Sequence, residues 1–203
     1  MRGKLVAFFG TDGTEKSTIA NIVEAECNIR GVATRRFHWR PRLLPSRKVD
    51  LSNIDFTHPD DLVKRNLVIS LVTYIYCYSD FLFAYLLNFY PFMKKGGIIL
   101  YERYYYDILF HPRRYHTQEI RHIAKLLVQL IPKPDVIVFL YGQPEVIQSR
   151  KLELTLGEIS RQQEIMREYF REYGTVLSVD VTNTAPREVA EIVLKRCVSC
   201  EDE

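Results

Sequence analysis

The residues richest in chemical possibility lie close to the start of the chain, in FFGTDGTEKST at residues 8–18. Gly10, Lys16 and Ser17 follow the spacing of a phosphate-binding loop, G-x-x-x-x-G-K-[ST], with Gly13 as a further glycine inside it and with one departure. Glu15 stands where that pattern has its second glycine. In such a loop successive backbone N–H groups and the N-terminus of the next helix form an anion cradle. The lysine reaches the outer phosphates and the following hydroxyl ligates magnesium. We therefore assign Gly10, Thr11, Asp12, Gly13, Thr14, Glu15, Lys16, Ser17 and Thr18 to ATP phosphate binding, with Mg2+ on Ser17. Glu15 weakens this loop in two ways. A left-handed backbone there costs a non-glycine residue about 1–2 kcal/mol. Its carboxylate, ~6 Å from a phosphate, adds roughly 3 kcal/mol of repulsion at an effective dielectric of ~20. Alternatively, Glu15 lies over its own helix N-terminus as an internal anion.

The second dense stretch is GGIILYERYYYDILFHPRRYH, residues 96–116. A strand ending at Tyr101 delivers Glu102 and Arg103 to its carboxyl end, where open α/β sheets bind ligands. A carboxylate there holds magnesium through water, and an arginine clamps a phosphate. Arginines and flat rings also gather at Trp39, Arg40, Arg42, Tyr104, Arg113 and Arg114, a combination suited to an anionic acceptor with a ring to stack. The bland reading of the same residues is a solvated arginine face with Tyr105 in the core. His38 reads as a strand-end residue and His111 as a loop residue.

The elements that must position these groups alternate. Strands are expected at Lys4–Phe9, Val32–His38, Gly97–Tyr101, Asp135–Tyr141 and Thr175–Asp180. Helical patterns fall at Ser17–Arg30, Asp60–Lys95, Thr117–Ile131, an arm over Pro144–Tyr173, and Pro186–Cys200. Such alternation implies a five-stranded parallel sheet covered on both faces, a three-layer α/β/α architecture in one domain over residues 1–203. The polar stretch Ser46–Pro59 reads as a mobile loop.

On these motifs the chain resembles the thymidylate kinase family of nucleoside-monophosphate kinases. FFGTDGTEKST is similar to its loop, ILYERYYYD to its DRY motif, VIVFLYGQPEVIQSRK to its fourth strand and lid start, and VDVTNTAPREVAEIV to its final strand and adenine-side loop. The resemblance implies a P-loop NTPase fold with a helical lid arm at about 144–173. It implies that Asp12 contacts the acceptor sugar, Lys16 the donor phosphates and Arg103 the acceptor phosphate. Ser17 and Glu102 would serve magnesium, while Arg150, with Lys151 or Arg161, would cover the transferring phosphoryl group. Departures fall mainly on the acceptor half. HWRPRLLP replaces the family's REPG segment, Phe81 stands at the mid-helix arginine beside Asp80, and Glu102 replaces an aspartate. Thymidylate is therefore not the expected acceptor; another nucleotide, or a phosphorylated or acidic sugar, is. The competing expectation is an impaired nucleotide-binding or interaction protein.

Composition bounds the remaining possibilities. At 203 residues, with 47% hydrophobic and 26% charged residues, the chain is long enough for a sizeable core. A net charge of +3 suits anionic small molecules and is too small to suggest nucleic acid. Four cysteines do not make a disulfide framework, and Cys197 and Cys200 read as a fraying helix end. The first apolar run, Leu5–Phe9, is too short for a signal peptide, so a reducing cytoplasmic setting is expected. Leu67–Met93 is apolar on nearly every face apart from Asp80. It reads as a partner-facing helix of a homodimer rather than a membrane span.

Overall fold

The computed structural model describes residues 2–45, 67–111, 120–171, 173–174 and 176–198. Strands β1 (Leu5–Phe9), β2 (Thr34–His38), β3 (Ile98–Glu102), β4 (Val136–Tyr141) and β5 (Val176–Asp180) form one sheet in the order β2-β3-β1-β4-β5. Every neighbouring pair is parallel. β1, β3 and β4 carry almost unbroken apolar runs because a parallel sheet is covered on both faces. The edge strands, TRRFH and VLSVD, are more polar and half-exposed.

Side-chain alternation divides the core in two. Val6, Phe8, Leu100 and Val138 point to one face, where α1 (Lys16–Ile29) and α8 (Pro186–Val198) pack. Ala7, Phe9, Ile99, Tyr101, Ile137 and Phe139 point to the other. That second face is covered by α2 (Leu67–Ala84), a π-helical turn (Tyr85–Phe89), α3 (Tyr90–Lys94), α4 (Asp107–Phe110), α5 (Arg121–Val128) and α7 (Leu156–Phe170). It is built largely of rings, with Phe81 edge-on to Tyr104 at 5.0 Å between centroids. The three-layer α/β/α architecture read from the sequence is observed.

Several expectations need correction. β3 runs one residue further than expected, so Glu102 belongs to the strand and is 2% exposed, instead of following it. The arm at 144–173 is two helices, α6 (Pro144–Arg150) and α7, interrupted after Lys151 takes an extended conformation. Proline opens α6 where its missing N–H costs nothing. Thr155 caps α7 by accepting from the Glu158 N–H at 3.3 Å, as its position three residues upstream requires. The short helix α4 was not foreseen. Cys197 is no fraying end: it is 5% exposed and packs in the α1–α8 core. Ser46–Pro59, Arg113, Arg114 and Cys200 lie outside the described residues.

The long helical run has two unlike sides. Tyr74, Cys77, Asp80, Phe81, Ala84, Phe89 and Met93 are buried. Val68, Val72, Ile75, Phe83, Leu86, Leu87 and Tyr90 are exposed, at helical spacing. By length and composition alone Ser70–Lys94 is apolar enough to cross a bilayer, and a third of its most apolar stretch is buried in the fold.

Candidate active site

The loop between β1 and α1 lies at the carboxyl edge of the sheet. Its glycines are required by space as well as by torsion. A Cβ on Gly10 (φ 148°) would sit 2.5 Å from the Leu140 carbonyl oxygen, and one on Gly13 (φ 93°) 2.5 Å from that of Ile147. The second contact shows that α6 packs directly on the loop. Lys16 is 7% exposed and folds back across the loop. Its Nζ donates to the carbonyls of Thr11 (2.6 Å) and Gly10 (2.8 Å), with the Thr14 hydroxyl at 3.3 Å. Burial lowers its pKa to about 8, against the pull of Asp12. Because those partners are neutral, the lysine is satisfied without a carboxylate bonded to it, and Asp12, Asp107 and Glu102 act on its charge only through space. An entering phosphate has only to exchange with carbonyl oxygens. The buried Thr11 hydroxyl has no hydrogen-bond partner among the described residues.

Glu15 adopts the left-handed conformation expected of the missing glycine, φ 59° and ψ 26°. Its side chain does not cap α1. The carboxylate instead faces the Arg150 guanidinium, Nε to Oε1 3.9 Å. Arg150 also donates to the carbonyls of Val181 (2.9 Å) and Thr182 (3.4 Å), which ties α6 to the segment after β5. Arg161 is paired along its own helix with Glu158, at 2.6 and 2.8 Å. Lys151 bridges to Glu153 at 3.1 Å, and its charge is also felt by Asp12.

Beside the loop, Ser17 and Glu102 meet as expected for a metal site, but not in a form that fits a resident magnesium ion. The Ser17 hydroxyl donates to Glu102 Oε2 at 2.5 Å. The other oxygen, Oε1, accepts from Arg36 Nε at 2.6 Å and is also paired with Arg36 Nη2. Both carboxylate oxygens are thus taken, one of them by a cation. No cluster of three metal-ligating side chains exists among the described residues.

Asp12 and Arg103 form the next layer of the site. Arg103 Nη2 pairs with Asp12 Oδ1, and Nη1 lies 3.6 Å from Asp107 Oδ2. His111 Nε2 is 3.7 Å from the other Asp107 oxygen. Burial would raise the Asp12 pKa, but Arg103 and Lys16 outweigh it and hold the carboxyl well below the usual range. Burial, then the Arg103 charge, lowers the pKa of His38.

The acceptor side departs furthest from the simple reading. Asp80 is completely buried and accepts from Arg40 Nε at 3.0 Å and from the Leu44 N–H at 2.6 Å. Arg40 lies over the Tyr76 ring at 5.2 Å, and its buried Nη2 has no hydrogen-bond partner among the described residues. Trp39 donates its N–H to the Glu102 carbonyl at 2.8 Å, while its own carbonyl accepts from the Tyr101 hydroxyl. Arg42 is exposed. Tyr104 is not at this edge: it is fully buried, packs among Phe81, Tyr101 and Tyr106, and bonds the Pro132 carbonyl. Phe81 is 1% exposed within the same ring cluster. Among the described residues, Glu15, Trp39, Arg42 and Arg103 are the non-glycine positions with positive φ. All were singled out from sequence, and all stand at the carboxyl edge. Strain of this kind, about 1–3 kcal/mol per residue, persists only where surroundings impose it, and it gathers at ligand sites.

The sequence reading missed Arg36, Asp107 and the role of Asp80. Alternation on β2 carried the signal for Arg36, whose neighbour Phe37 packs on Phe89 of the π-helical turn, leaving Arg36 on the opposite, α1 side.

No family model and no curated protein matches the chain. Among solved structures, thymidylate kinase from Candida albicans matches with a TM-score of 0.65 at 17% identity, over 96% of this chain and 90% of that one. That enzyme is described as having a broad substrate specificity. At this identity the likeness concerns architecture, and on it the chain has the fold of that thymidylate kinase.

Proposed function

We propose that the chain is an ATP-dependent phosphotransferase whose acceptor is a small anionic molecule other than thymidylate, another nucleotide or a phosphorylated or acidic sugar. The observation that carries this reading is Lys16, buried at the mouth of a strand-loop-helix cradle with no carboxylate bonded to it and the Asp12–Arg103 pair beside it. Phosphoryl transfer asks a protein chiefly for alignment and positive charge. Lys16 meets the donor phosphates, Asp12 holds Arg103 toward the acceptor, and α6, seated on Gly13, brings Arg150 over the loop. Thymidylate is disfavoured because Phe81 is core and Arg40 is engaged by Asp80. The test is transfer of labelled γ-phosphate from ATP to a panel of nucleoside monophosphates and sugar phosphates. Turnover is expected with a member other than dTMP; efficient dTMP phosphorylation would sink this assignment.

A second reading, an impaired nucleotide-binding or interaction protein, is favoured by one observation. Glu15 occupies the left-handed loop position and faces Arg150, drawing a cation away from the transferring group. Saturable ATP binding without transfer to any acceptor would decide for it.

The partner is a second copy. Val68, Val72 and Ile75, then Phe83, Leu86, Leu87 and Tyr90, are exposed apolar residues on the side of this helical run away from its buried one, and an interface of standard size needs about 800 Å² from each subunit. Light scattering should give twice 23.9 kDa; a monomer at micromolar concentration would reject the dimer. Among the described residues Cys27, Cys77 and Cys197 are buried free thiols, in keeping with the reducing cytoplasmic setting we propose.

A further inference from the structure

We propose that Arg36 is a built-in cation that neutralises Glu102 in place of a divalent metal, holding Oε1 while the Ser17 hydroxyl holds Oε2, so that a triphosphate binds without a metal bridge to the protein's own carboxylate. For the triphosphate this rests on the nucleotide-binding reading above; for the cation it rests on the geometry alone. In the sheet, Arg36 is paired with Leu100, and Glu102 stands two residues further along the same face of β3. That diagonal is within reach of a long side chain. The guanidinium makes a two-point contact with Glu102 Oε1 through Nε (2.6 Å) and Nη2. It is also fixed to α1, with Nη2 3.3 Å from the Ser17 carbonyl and Nη1 on the Asn21 side-chain oxygen. The arginine is therefore clamped between β3 and the first two turns of the helix that the loop opens.

Glu102 explains why the pairing is so complete. Its side chain is 3% exposed, and a buried carboxylate requires a counter-charge. A glutamate places that carboxylate one bond, about 1.5 Å, further from the backbone than an aspartate does. The extra length carries it to the edge strand, where Arg36 waits. An arginine here is permanently charged, so neither chelation nor alkaline pH removes it. It supplies one positive charge where a metal would supply two, and Lys16 adds another on the loop itself.

The experiment compares ATP affinity, by calorimetry on the full chain, in millimolar Mg2+ and in EDTA. The wild-type affinity is expected to change by less than about threefold, whereas Arg36→Met should lose tenfold or more in EDTA and regain most of it in Mg2+. The double variant Arg36→Met/Glu102→Gln should not regain it. A tenfold or larger loss by the wild type in EDTA overturns the proposal, as does an Arg36→Met protein indifferent to Mg2+. If Arg36→Met does not fold, the wild-type comparison still decides. If the wild type binds no ATP in either buffer, the nucleotide reading fails separately and thermal unfolding decides the internal cation. Mg2+ should then raise the midpoint of Arg36→Met and leave the wild type unchanged; no rescue overturns the proposal.

Discussion

The loop at residues 10–18 and the arginine edge around Arg40 handle charge in opposite ways. Lys16 is held by carbonyl oxygens, which satisfy its hydrogens and leave its charge in place. Arg40 is held by the buried carboxylate of Asp80 and loses most of its field, while Arg36 neutralises Glu102 beside the loop. The Arg40 arrangement leaves one buried nitrogen without a hydrogen-bond partner among the described residues, and only the Lys16 arrangement leaves a cation with no carboxylate bonded to it. A count of basic residues therefore overstates the acceptor side, and the loop is more capable than its missing glycine suggests.

The largest way to break this comparison is to remove the anion under the arginine edge. Asp80→Ala would strand Arg40 beneath Tyr76 and leave the Leu44 N–H unpaired. Breaking such a buried pair costs about 3–5 kcal/mol. Urea unfolding should show that loss, and Asp80→Ala/Arg40→Met should recover part of it. A change under about 1 kcal/mol would mean that the pair is solvated and that Arg40 remains available to ligand.

On the loop side, Lys16→Met should lower ATP affinity or turnover by about 10²–10³-fold, the usual scale for one preorganised charge contact. Its unfolding transition should remain cooperative, because the carbonyls of Gly10 and Thr11 lie within reach of solvent once the lysine is gone. ATP binding within about threefold of wild type would place the phosphates elsewhere.

These two regions also mark how far the sequence could be read. Gly10, Gly13, Lys16 and Ser17 act locally, through spacing along one turn, and that spacing is visible in the letters. The three-layer sheet was equally legible, since continuous apolar runs alternating with helical patterns admit few arrangements. The fate of each arginine was not legible. Arg36 meets Glu102 across 66 residues of sequence, and Arg40 meets Asp80 across 40. Such pairs depend on strand register and on which face of α2 turns inward, neither of which composition reveals. Tyr104 was misplaced for a related reason: three consecutive tyrosines look like a binding surface, yet the turn between β3 and α4 buries all of them in the core.

Glu15→Gly sharpens the comparison from the other direction. Relief of the left-handed backbone is worth about 1–2 kcal/mol. Glycine's greater chain entropy returns about 0.5–1 kcal/mol, and loss of the part-exposed pair with Arg150 at 3.9 Å removes about 0–1 kcal/mol more. Stability should therefore move by no more than about 1.5 kcal/mol. ATP affinity should nevertheless rise about ten- to hundredfold, because a carboxylate is withdrawn from the phosphates. Weaker ATP binding in this variant would give Glu15 a positive role, through Arg150.

The smallest effect is the pH dependence of Lys16, and its two signs make it diagnostic. Burial sets its folded pKa at about 8, below the ordinary 10.5. Between those values the unfolded chain binds more protons than the folded one, so stability rises with pH across that window. Below pH 8 the cost of burying the charge is fully present. ATP affinity should run the other way, because the phosphates need the protonated lysine. It should be highest below pH 8 and fall by at most about one decade per pH unit above it. Arg36, permanently charged, contributes nothing to this slope. Calorimetric ATP titrations from pH 7 to 9.5 alongside urea unfolding, at about half-unit steps, would show the two curves diverging. In Lys16→Met both slopes should flatten together. If affinity and stability instead rise in parallel, the titrating group is not the lysine of the loop, and the cation on which the comparison depends lies somewhere else in the site.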